Sequence, residues 1–473
     1  MNPEEQLRFL LRRVDQVPVP ESRSQAAFFQ AAHRSLLIHR MVGVIAAVLV
    51  TTVAVAGASM LVGDRGGPPP VDEPSPDRSE QPVCDPAPPL QINDLGVVAF
   101  AANEGLHKVD VASGQIETLV SSGIRANAGA PVRFSPSGRW ISFGPGRLIP
   151  SAGGPVCLPS PDDLHQLTWS PLEDIFVAKT RDGRLVNGGP SHPLTEIAAP
   201  ELGTTNFVFD PSGTRLAVGR VTEEGSGAVA VIDLENGTTT DVLSLAPESG
   251  LVPEIATWSP DGDWILYWET FGETESLNAD GGALKAVRAA GGDSLTVVDE
   301  MLFYSDFITW CGDTLIAAGG GGRGVTENKS LITAAAPEWR PTPIEGDPGE
   351  STFWPHCSPD LQVAATSTED EPEQTFGQNR RHIDFFPLAD PSNAGGFAVD
   401  QSSASAEFPR WSRNHDGEVV MLFVARESSP ESEASIYLQQ NATQRRLADL
   451  GRVESLGYFG HYQYGGLFDW YQP

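Results

Sequence analysis

From about residue 90 onward the chain repeats one pattern of apolar and polar positions. A short run of β-branched and aromatic residues ends in a large side chain, a polar turn follows, and a second apolar run comes after the turn. The clearest copy is WSPDGDWILYW, from Trp258 to Trp268. Its Ser259-Pro260-Asp261-Gly262 stretch suits a type I turn, because Pro fixes φ at the second position and Gly is favoured at the fourth. The pattern predicts two antiparallel strands joined by a tight turn.

The pattern occurs seven times, at intervals that range from 35 residues (Phe134 to Trp169) to 54 residues (Cys357 to Trp411). This period is typical of the blades of a β-propeller rather than of helical solenoids. The residue that ends the first strand of each copy is its blade anchor, and we expect it to pack between neighbouring blades. The anchors are Phe134, Trp169, Phe209, Trp258, Trp310, Cys357 and Trp411.

An eighth set of strands, GVVAF, GLHKVDV and QIETLV, occupies residues 96–120 and lacks the opening strand of the other copies. The aromatic segment 457–473 is the candidate for that strand. Pairing it with the first blade would close the ring and remove two exposed sheet edges. We therefore predict an all-β fold, a β-propeller of about eight four-stranded blades, with seven blades as the alternative.

The repeated phrase x-W-S-P-D-G-x-x-I-x-F resembles the WD40-like repeat of the TolB-type β-propellers. The resemblance covers roughly residues 90–473 and implies the fold, but this fold hosts binding platforms, receptor-like ectodomains and some enzymes. Three copies depart from the phrase: Trp310 lacks the following Pro, Cys357 replaces an aromatic anchor, and Arg413-Asn414-His415 lengthens the last turn. These departures affect the expected number of blades and leave the expected fold unchanged.

The segments before the propeller follow other patterns. Residues 1–40 place apolar side chains at i, i+3, i+4 and i+7 in LRFLLRRV and predict a short helical tail. Residues 41–63 contain no charged side chain, and a helix of that length spans about 34 Å, enough for a ~30 Å hydrocarbon core. They predict a single transmembrane helix; the small residues at 54–58 leave a cleaved signal peptide as the alternative. Residues 64–91, rich in Pro and acids, predict a linker to the propeller at 92–473.

Arginines indicate the orientation of this helix. Arg23, Arg34 and Arg40 precede it, whereas Arg65 and Arg78 after it lie among prolines and acids. Positive residues favour the cytoplasmic side of a membrane helix. We therefore expect a single-pass cell-membrane protein with a cytoplasmic amino terminus and an extracytoplasmic propeller.

All four cysteines lie on the propeller side, as expected for disulfides in an oxidising compartment. Cys311 follows one blade anchor and Cys357 occupies the next, so adjacent inner strands would bring these two together. Cys84 would then pair with Cys157. The alternative, a four-cysteine metal site, lacks close pairs such as C-x-x-C.

The charge balance excludes one class of partner. The chain has 62 acidic and 31 basic side chains and a formal charge of −31, which argues against nucleic-acid binding. The first 40 residues hold four acids and six arginines, so the acidity belongs to the rest of the chain, where it favours a solubilising surface. Four lysines beside 27 arginines indicate a high-GC genome of the actinobacterial kind.

Catalytic phrases are missing from the sequence. There is no G-x-S-x-G, H-E-x-x-H, P-loop or calcium-loop phrase. The polar stretches Gly319–Gly324, Glu369–Glu373 and His415-Asp416-Gly417 are interpreted as loops and turns. We predict no catalytic, cofactor-binding or metal-binding residues and no cofactor, although a glycosidase-like pair among the 62 acids stays open.

These observations favour a membrane-anchored propeller that is not an enzyme and that binds a protein, peptide or glycan on its loop face. In its specific version, the tail engages a cytoplasmic regulator, as membrane-bound anti-sigma factors do. The alternatives are a cell-envelope hydrolase or lyase of propeller fold and a scaffold for an envelope complex.

Overall fold

The computed structural model describes residues 84 and 87–472, apart from residues 104, 124–130, 145, 158–163, 182, 198–202, 223–224, 272–279, 371–379, 389–404, 415, 427–432, 442, 454, 457–460 and 463. The predicted tail, transmembrane helix and most of the linker lie outside the described residues, as does His415. Among the described residues, no helix is both long enough and apolar enough to span a membrane. Membrane anchoring and orientation therefore stay predictions.

Eight sheets follow one another around a ring, which confirms the predicted all-β propeller with eight blades rather than seven. Strands are numbered in chain order. Blade 1 contains β1 (Val97–Ala102), β2 (Gly105–Asp110) and β3 (Ile116–Val120), and blade 2 contains β4 (Arg133–Phe134), β5 (Trp140–Phe143) and β6 (Arg147–Pro150). Blade 3 contains β7 (Leu164–Trp169), β8 (Phe176–Thr180), β9 (Leu185–Gly189) and β10 (His192–Glu196). Blade 4 contains β11 (Thr204–Phe209), β12 (Arg215–Val221), β13 (Gly227–Asp233) and β14 (Thr239–Ser244).

Blades 5 to 8 continue the same antiparallel order, with the first strand of each blade innermost. Blade 5 contains β15 (Leu251–Trp258), β16 (Trp264–Phe271), β17 (Gly282–Arg288) and β18 (Leu295–Met301), and blade 6 contains β19 (Ile308–Cys311), β20 (Thr314–Gly319), β21 (Ser330–Ala335) and β22 (Thr342–Pro343). Blade 7 contains β23 (Glu350–Cys357), β24 (Gln362–Glu369) and β25 (His382–Pro387). Blade 8 contains β26 (Ser405–Arg413), β27 (Val419–Arg426), β28 (Glu433–Gln440) and β29 (Thr443–Arg452). Six blades have four strands; blades 2 and 7 have three among the described residues.

The chain ends in a short hairpin, β30 (Ser455–Leu456) and β31 (His461–Tyr462), one helical turn, α1 (Tyr464–Leu467), and the strand β32 (Phe468–Tyr471). Single 3-10 turns occur at Pro247–Ser249 and Ser305–Phe307.

The last strand closes the ring as the sequence predicts. β32 pairs antiparallel with β1 and becomes the innermost strand of blade 1, with Phe468 opposite Phe100. Asp469 Oδ2 accepts a hydrogen bond of 2.7 Å from the backbone N–H of Phe134 in blade 2. The Tyr471 ring packs 5.4 Å from the Phe134 ring. Residues from the two ends of the propeller thus complete one sheet.

The tryptophan anchors lie at the interfaces between blades. The Trp258 indole is 3% exposed and donates a hydrogen bond of 3.0 Å to the carbonyl of Val208 in the preceding blade. The Trp169 indole reaches back to Ser142 Oγ in the same way, at 3.0 Å. Burial of an aromatic ring combined with one satisfied N–H makes these side chains strong links between sheets.

The turn after each anchor fixes where the second strand begins. In the Ser259–Gly262 turn, the Gly262 N–H donates to the Ser259 carbonyl at 2.9 Å, and Gly262 has φ +73°. Ser259 Oγ also accepts a hydrogen bond of 2.9 Å from the Trp264 N–H at the start of β16. A glycine is suited to the last turn position because it adopts positive φ without strain.

Both predicted disulfides are present: Cys84–Cys157 and Cys311–Cys357. The second joins β19 of blade 6 to β23 of blade 7. Its cysteines are 46 residues apart, and a loop of that length gives about 4 kcal/mol of stabilisation in the chain-entropy model.

Replacing Cys311 and Cys357 together by Ala should therefore lower the free energy of unfolding by about 2–4 kcal/mol. Guanidinium denaturation of the oxidised protein and of the double variant measures this loss. Reduction with dithiothreitol should destabilise the wild-type protein more than the variant, because the variant retains one disulfide instead of two. Equal denaturation midpoints for wild type and variant would contradict the prediction.

Candidate functional site

The innermost strands of the eight blades carry different types of side chain at one equivalent position. In seven blades this position is the residue immediately before the anchor. In blade 1 it is the residue before Tyr471, because Tyr471 takes the place of the anchor in the closing strand. In chain order the eight residues are Arg133, Thr168, Val208, Thr257, Thr309, His356, Arg410 and Trp470. The three basic residues belong to blades 7, 8 and 2, which with blade 1 form one continuous stretch of the ring. We call Arg133, His356 and Arg410 the basic arc.

Two matching backbone distortions precede two residues of the arc. Trp354 in β23 and Phe408 in β26 have φ of +52° and +57°, and each is followed by a proline and then by His356 or Arg410. The strand register slips at both places. A bulky residue at positive φ costs roughly 1–3 kcal/mol and persists only where its surroundings enforce it. Such strain is a feature of functional sites.

Aromatic packing holds these distortions in place. The Trp354 and Phe408 rings meet edge to face with centroids 5.6 Å apart, and the Tyr464 ring of α1 lies 5.7 Å and 5.6 Å from them. The carbonyl of Gly466, also in α1, accepts a hydrogen bond of 3.0 Å from the Val132 N–H at the edge of blade 2. The turn therefore bridges blades 7 and 8 to blade 2.

A buried ionic network lies beneath this turn. Glu407 accepts hydrogen bonds from Arg381 (2.6 Å), Arg426 (3.0 Å) and the Tyr464 hydroxyl (3.0 Å). The side chains of the acid and both arginines are fully buried. Burial alone would raise the pKa of Glu407, but the two guanidinium charges and their hydrogen bonds hold it below its usual value. The network therefore holds a carboxylate, and that carboxylate binds α1 to blade 8.

Arg410 lies near the axis of the ring. Burial lowers the pKa of its guanidinium to about 10. The negative charges of Asp306 and Asp469 oppose this lowering, and the positive charge of Arg133 adds to it. Those groups come from the turn before blade 6, from the closing strand and from blade 2, and blades that far apart approach one another only near the axis. At neutral pH the Arg410 side chain is therefore a cation on the innermost strand of blade 8, near the ring axis.

The Phe408 ring orients this cation. Its centroid is 3.7 Å from Arg410 Cζ, which is the stacked arrangement of a cation–π contact. One guanidinium N–H also donates to the Pro409 carbonyl at 2.9 Å. The distorted backbone at Phe408 thus places an aromatic surface under the arginine that follows two residues later.

His356 contributes a neutral donor to the arc. Its Nδ1 lies 3.1 Å from the Trp411 N–H and accepts that hydrogen bond, so the ring proton is on Nε2. Burial, with the nearby charge of Arg410, lowers the pKa of His356 to about 3. The imidazole is uncharged at physiological pH, and its Nε2–H is a donor near the Arg410 guanidinium. Such a set of donors suits carboxylate or phosphate oxygens.

The solved structures that share this fold include enzymes. No family model matches the sequence, and no curated protein matches it. The structure is similar to dihydro-heme d1 dehydrogenase NirN (12% identity, TM-score 0.50), covering 79% of this chain and 78% of that one. It is similar to Porphyromonas gingivalis dipeptidyl peptidase 4 (11% identity, TM-score 0.50), covering 77% of this chain and 59% of that one.

A putative TolB from Agrobacterium tumefaciens is also among the matches, at 12% identity and a TM-score of 0.31, covering 80% of this chain and 98% of that one. Structural neighbours thus include TolB and propeller peptidases. Identities this low show a shared fold and no shared activity.

The prediction that the protein is not an enzyme, which was drawn from the fold and from the absence of catalytic motifs, is wrong. A dehydrogenase and a peptidase match most of the chain with the same fold. The absence of catalytic motifs does not decide the question in this fold. Residues that meet at the axis of a propeller come from separate blades, so they leave no contiguous phrase in the sequence.

The glycine-rich stretch Gly319–Gly324 begins at the last residue of β20 and continues into the loop before β21. Lys329 fills this loop, and its Nζ donates to the carbonyls of Gly321 (2.7 Å), Gly322 (3.1 Å) and Glu327 (2.8 Å). Burial lowers the pKa of Lys329 to about 8. Carbonyl oxygens that surround a lysine do not form the N–H cradle of a phosphate site.

The acidic stretch Glu369–Glu373 is described only through Asp370. The Asp370 carboxylate accepts hydrogen bonds from Ser351 Oγ (2.5 Å) and from the Asn328 N–H (3.2 Å). This acid therefore joins blades 6 and 7, a structural role that the loop interpretation did not include.

Proposed function

We propose that the protein is a membrane-anchored, extracytoplasmic propeller that binds the carboxylate of a peptide-like ligand at the basic arc. The observation that carries this proposal is the guanidinium of Arg410 at the ring axis. Within the described part of the chain, Arg410 and Arg133 each donate to one backbone carbonyl and form no ion pair with a carboxylate, so further donors of both remain available. A bidentate carboxylate is the natural partner of an arginine.

The position of α1 supports a site with one open end. Along β26, Arg410 and Glu407 pair with residues two apart on β27, which is about 7 Å at the rise of a strand. Tyr464 covers Glu407, so the arc lies further along the channel, toward the Ser-Pro-Asp-Gly turns. All three residues of the arc are partly exposed. A ligand that enters from the turn side would meet the arc before α1.

The surrounding charge favours a ligand that also carries an amine. The chain as a whole has a formal charge of −31, which repels free polyanions. Asp306 and Asp469 lie close enough to Arg410 to affect its pKa, so acceptors accompany the donors of the arc. A peptide terminus or amino acid supplies both the carboxylate and the donors that such a mixed site needs.

Replacing Arg410 by Gln should weaken binding of free-acid tripeptides by about 10- to 100-fold, because a hydrogen-bonded charge contributes roughly 1.5–3 kcal/mol. Calorimetric titration with a pooled tripeptide library measures this change, and the same library with amidated carboxyl ends should bind weakly to both proteins. Arg288→Gln is the matched control, since Arg288 also stacks on an aromatic ring, with its Cζ 4.6 Å from the centroid of the Trp264 ring. Equal binding of acids and amides would overturn the proposal.

Hydrolysis at the same site is the second candidate function. A neutral imidazole near the Arg410 guanidinium is a donor set that can stabilise an oxyanion as it develops. Mass spectrometry of the peptide library after incubation with the purified protein distinguishes the two functions. Cleaved products that disappear in His356→Gln favour hydrolysis, whereas unchanged peptides leave binding as the function.

Signal relay through the tail is the sequence-based part of the proposal. Residues 1–40 precede the predicted transmembrane helix and would lie on the cytoplasmic side. A pull-down with this segment that retains no specific protein removes the relay and leaves ligand binding in place.

A further inference from the structure

Blade 7 carries a second polar cluster far from the basic arc. His382 and Asp384 are two residues apart on β25, so their side chains lie on the same face of the sheet. Glu350 begins the inner strand β23 and reaches the same cluster across β24. Glu350 and His356 pair with residues five apart on β24, which is about 16 Å along the strand. The cluster and the basic arc are therefore separate places on one blade.

The ligand atoms of this cluster are spaced as in a metal site. His382 Nε2 is 3.2 Å from Asp384 Oδ2 and 3.4 Å from Glu350 Oε2. One ligand atom from each residue fits within a 4.8 Å limit on all separations. Two ligands bound at 2.0–2.2 Å with a tetrahedral angle lie about 3.4 Å apart. A small cation fits between these three side chains with little movement.

One oxygen of the cluster lacks a suitable donor. Glu350 Oε2 is shielded from solvent and accepts no hydrogen bond from the described residues, because the His382 contact at 3.4 Å has the wrong geometry. Burial raises the pKa of Glu350; Asp384 and Asp347 add to that effect and His382 opposes it. Buried carboxylate oxygens are ordinarily paired or bound to a metal.

We propose that Glu350, His382 and Asp384 bind one divalent transition-metal ion, with Zn²⁺ the ion that they fit best. One imidazole and two carboxylates are ligands that Zn²⁺ accepts at these distances, whereas Ca²⁺ and Mg²⁺ prefer oxygen ligands alone. Three protein ligands leave a coordination position for water. The ion would join the inner strand of blade 7 to its third strand.

Calorimetric titration of the EDTA-treated, dialysed protein with Zn²⁺ tests this proposal. We expect one equivalent to bind, and we expect His382→Asn to weaken binding by at least about 10-fold. Asp384→Asn, which is nearly isosteric, should weaken binding in the same direction. His192→Asn is the matched control, because His192 is an exposed histidine on β10 and belongs to no such cluster among the described residues.

Thermal unfolding provides the second measurement. Zn²⁺ should raise the melting temperature of the wild-type protein and of His192→Asn, and should raise that of the two cluster variants less at the same Zn²⁺ concentration. The proposal is overturned if the metal-free wild-type protein binds no stoichiometric Zn²⁺, or if the folded His382→Asn variant binds it with wild-type affinity.

Discussion

A chain that ends at residue 463 should fail to form a stable propeller. The deletion removes β32, so β1 loses its inner partner and presents an unpaired edge. All six residues of β1 are buried in the closed ring, and an exposed apolar edge is a template for aggregation. The deletion also removes Tyr464 from the buried network. We expect a loss comparable to the whole net stability of a domain, about 5–15 kcal/mol.

Size-exclusion chromatography and far-ultraviolet circular dichroism measure this outcome. The truncated chain should elute as aggregate or be insoluble, while a chain that lacks only Gln472 and Pro473 should elute and unfold like the full protein. Adding a synthetic peptide of residues 464–473 should restore part of the folded monomer, because the missing strand can pair in trans. A soluble, monomeric truncated chain with an unchanged melting temperature would contradict the role of β32.

Closure of the ring could be predicted because a strand was visibly missing. Seven copies of the repeat have an opening strand, and the set at 96–120 does not. The aromatic residues of β32 marked it as the missing piece, and its pairing with β1 confirms this. Four strands in each blade were predicted as well, and six blades have them. Loops with mixed composition separate the outer strands, so the sequence does not single out blades 2 and 7, which have three strands in the described part of the chain.

The basic arc had a weak signal in the sequence. Reading the residue before each anchor shows Arg133, His356 and Arg410 beside the threonines of other blades. Their arrangement around one axis depends on blade order and on the closing strand, which no local pattern contains. The positive φ at Phe408 is also invisible in the sequence, because propensity would place a phenylalanine in extended backbone. A glutamate within the apolar strand SAEFPRW was the one sign of the buried network.

Replacing Glu407 by Gln should lower the free energy of unfolding by about 3–5 kcal/mol. The amide side chain would carry no charge, so Arg381 and Arg426 would remain as buried cations without their carboxylate. The matched control is Glu196→Gln, which breaks the Arg184–Glu196 pair, whose side chains are 41% and 57% exposed. That change should cost less than about 1 kcal/mol. Denaturation curves of the three proteins provide the comparison.

The pH dependence distinguishes loss of this charge from loss of packing. The pKa of Glu407 in the folded protein lies below its ordinary value of 4.5, so its contribution to stability is fully present above that pH and is lost as the pH falls through the folded-state pKa. The stability difference between wild type and Glu407→Gln should therefore be constant near neutral pH and shrink in acid. A difference that stays the same at every pH would mean that shape, rather than charge, is what Glu407 contributes. Since the same carboxylate holds Tyr464 over the strained Phe408, weaker tripeptide binding by Glu407→Gln would connect this network to the basic arc.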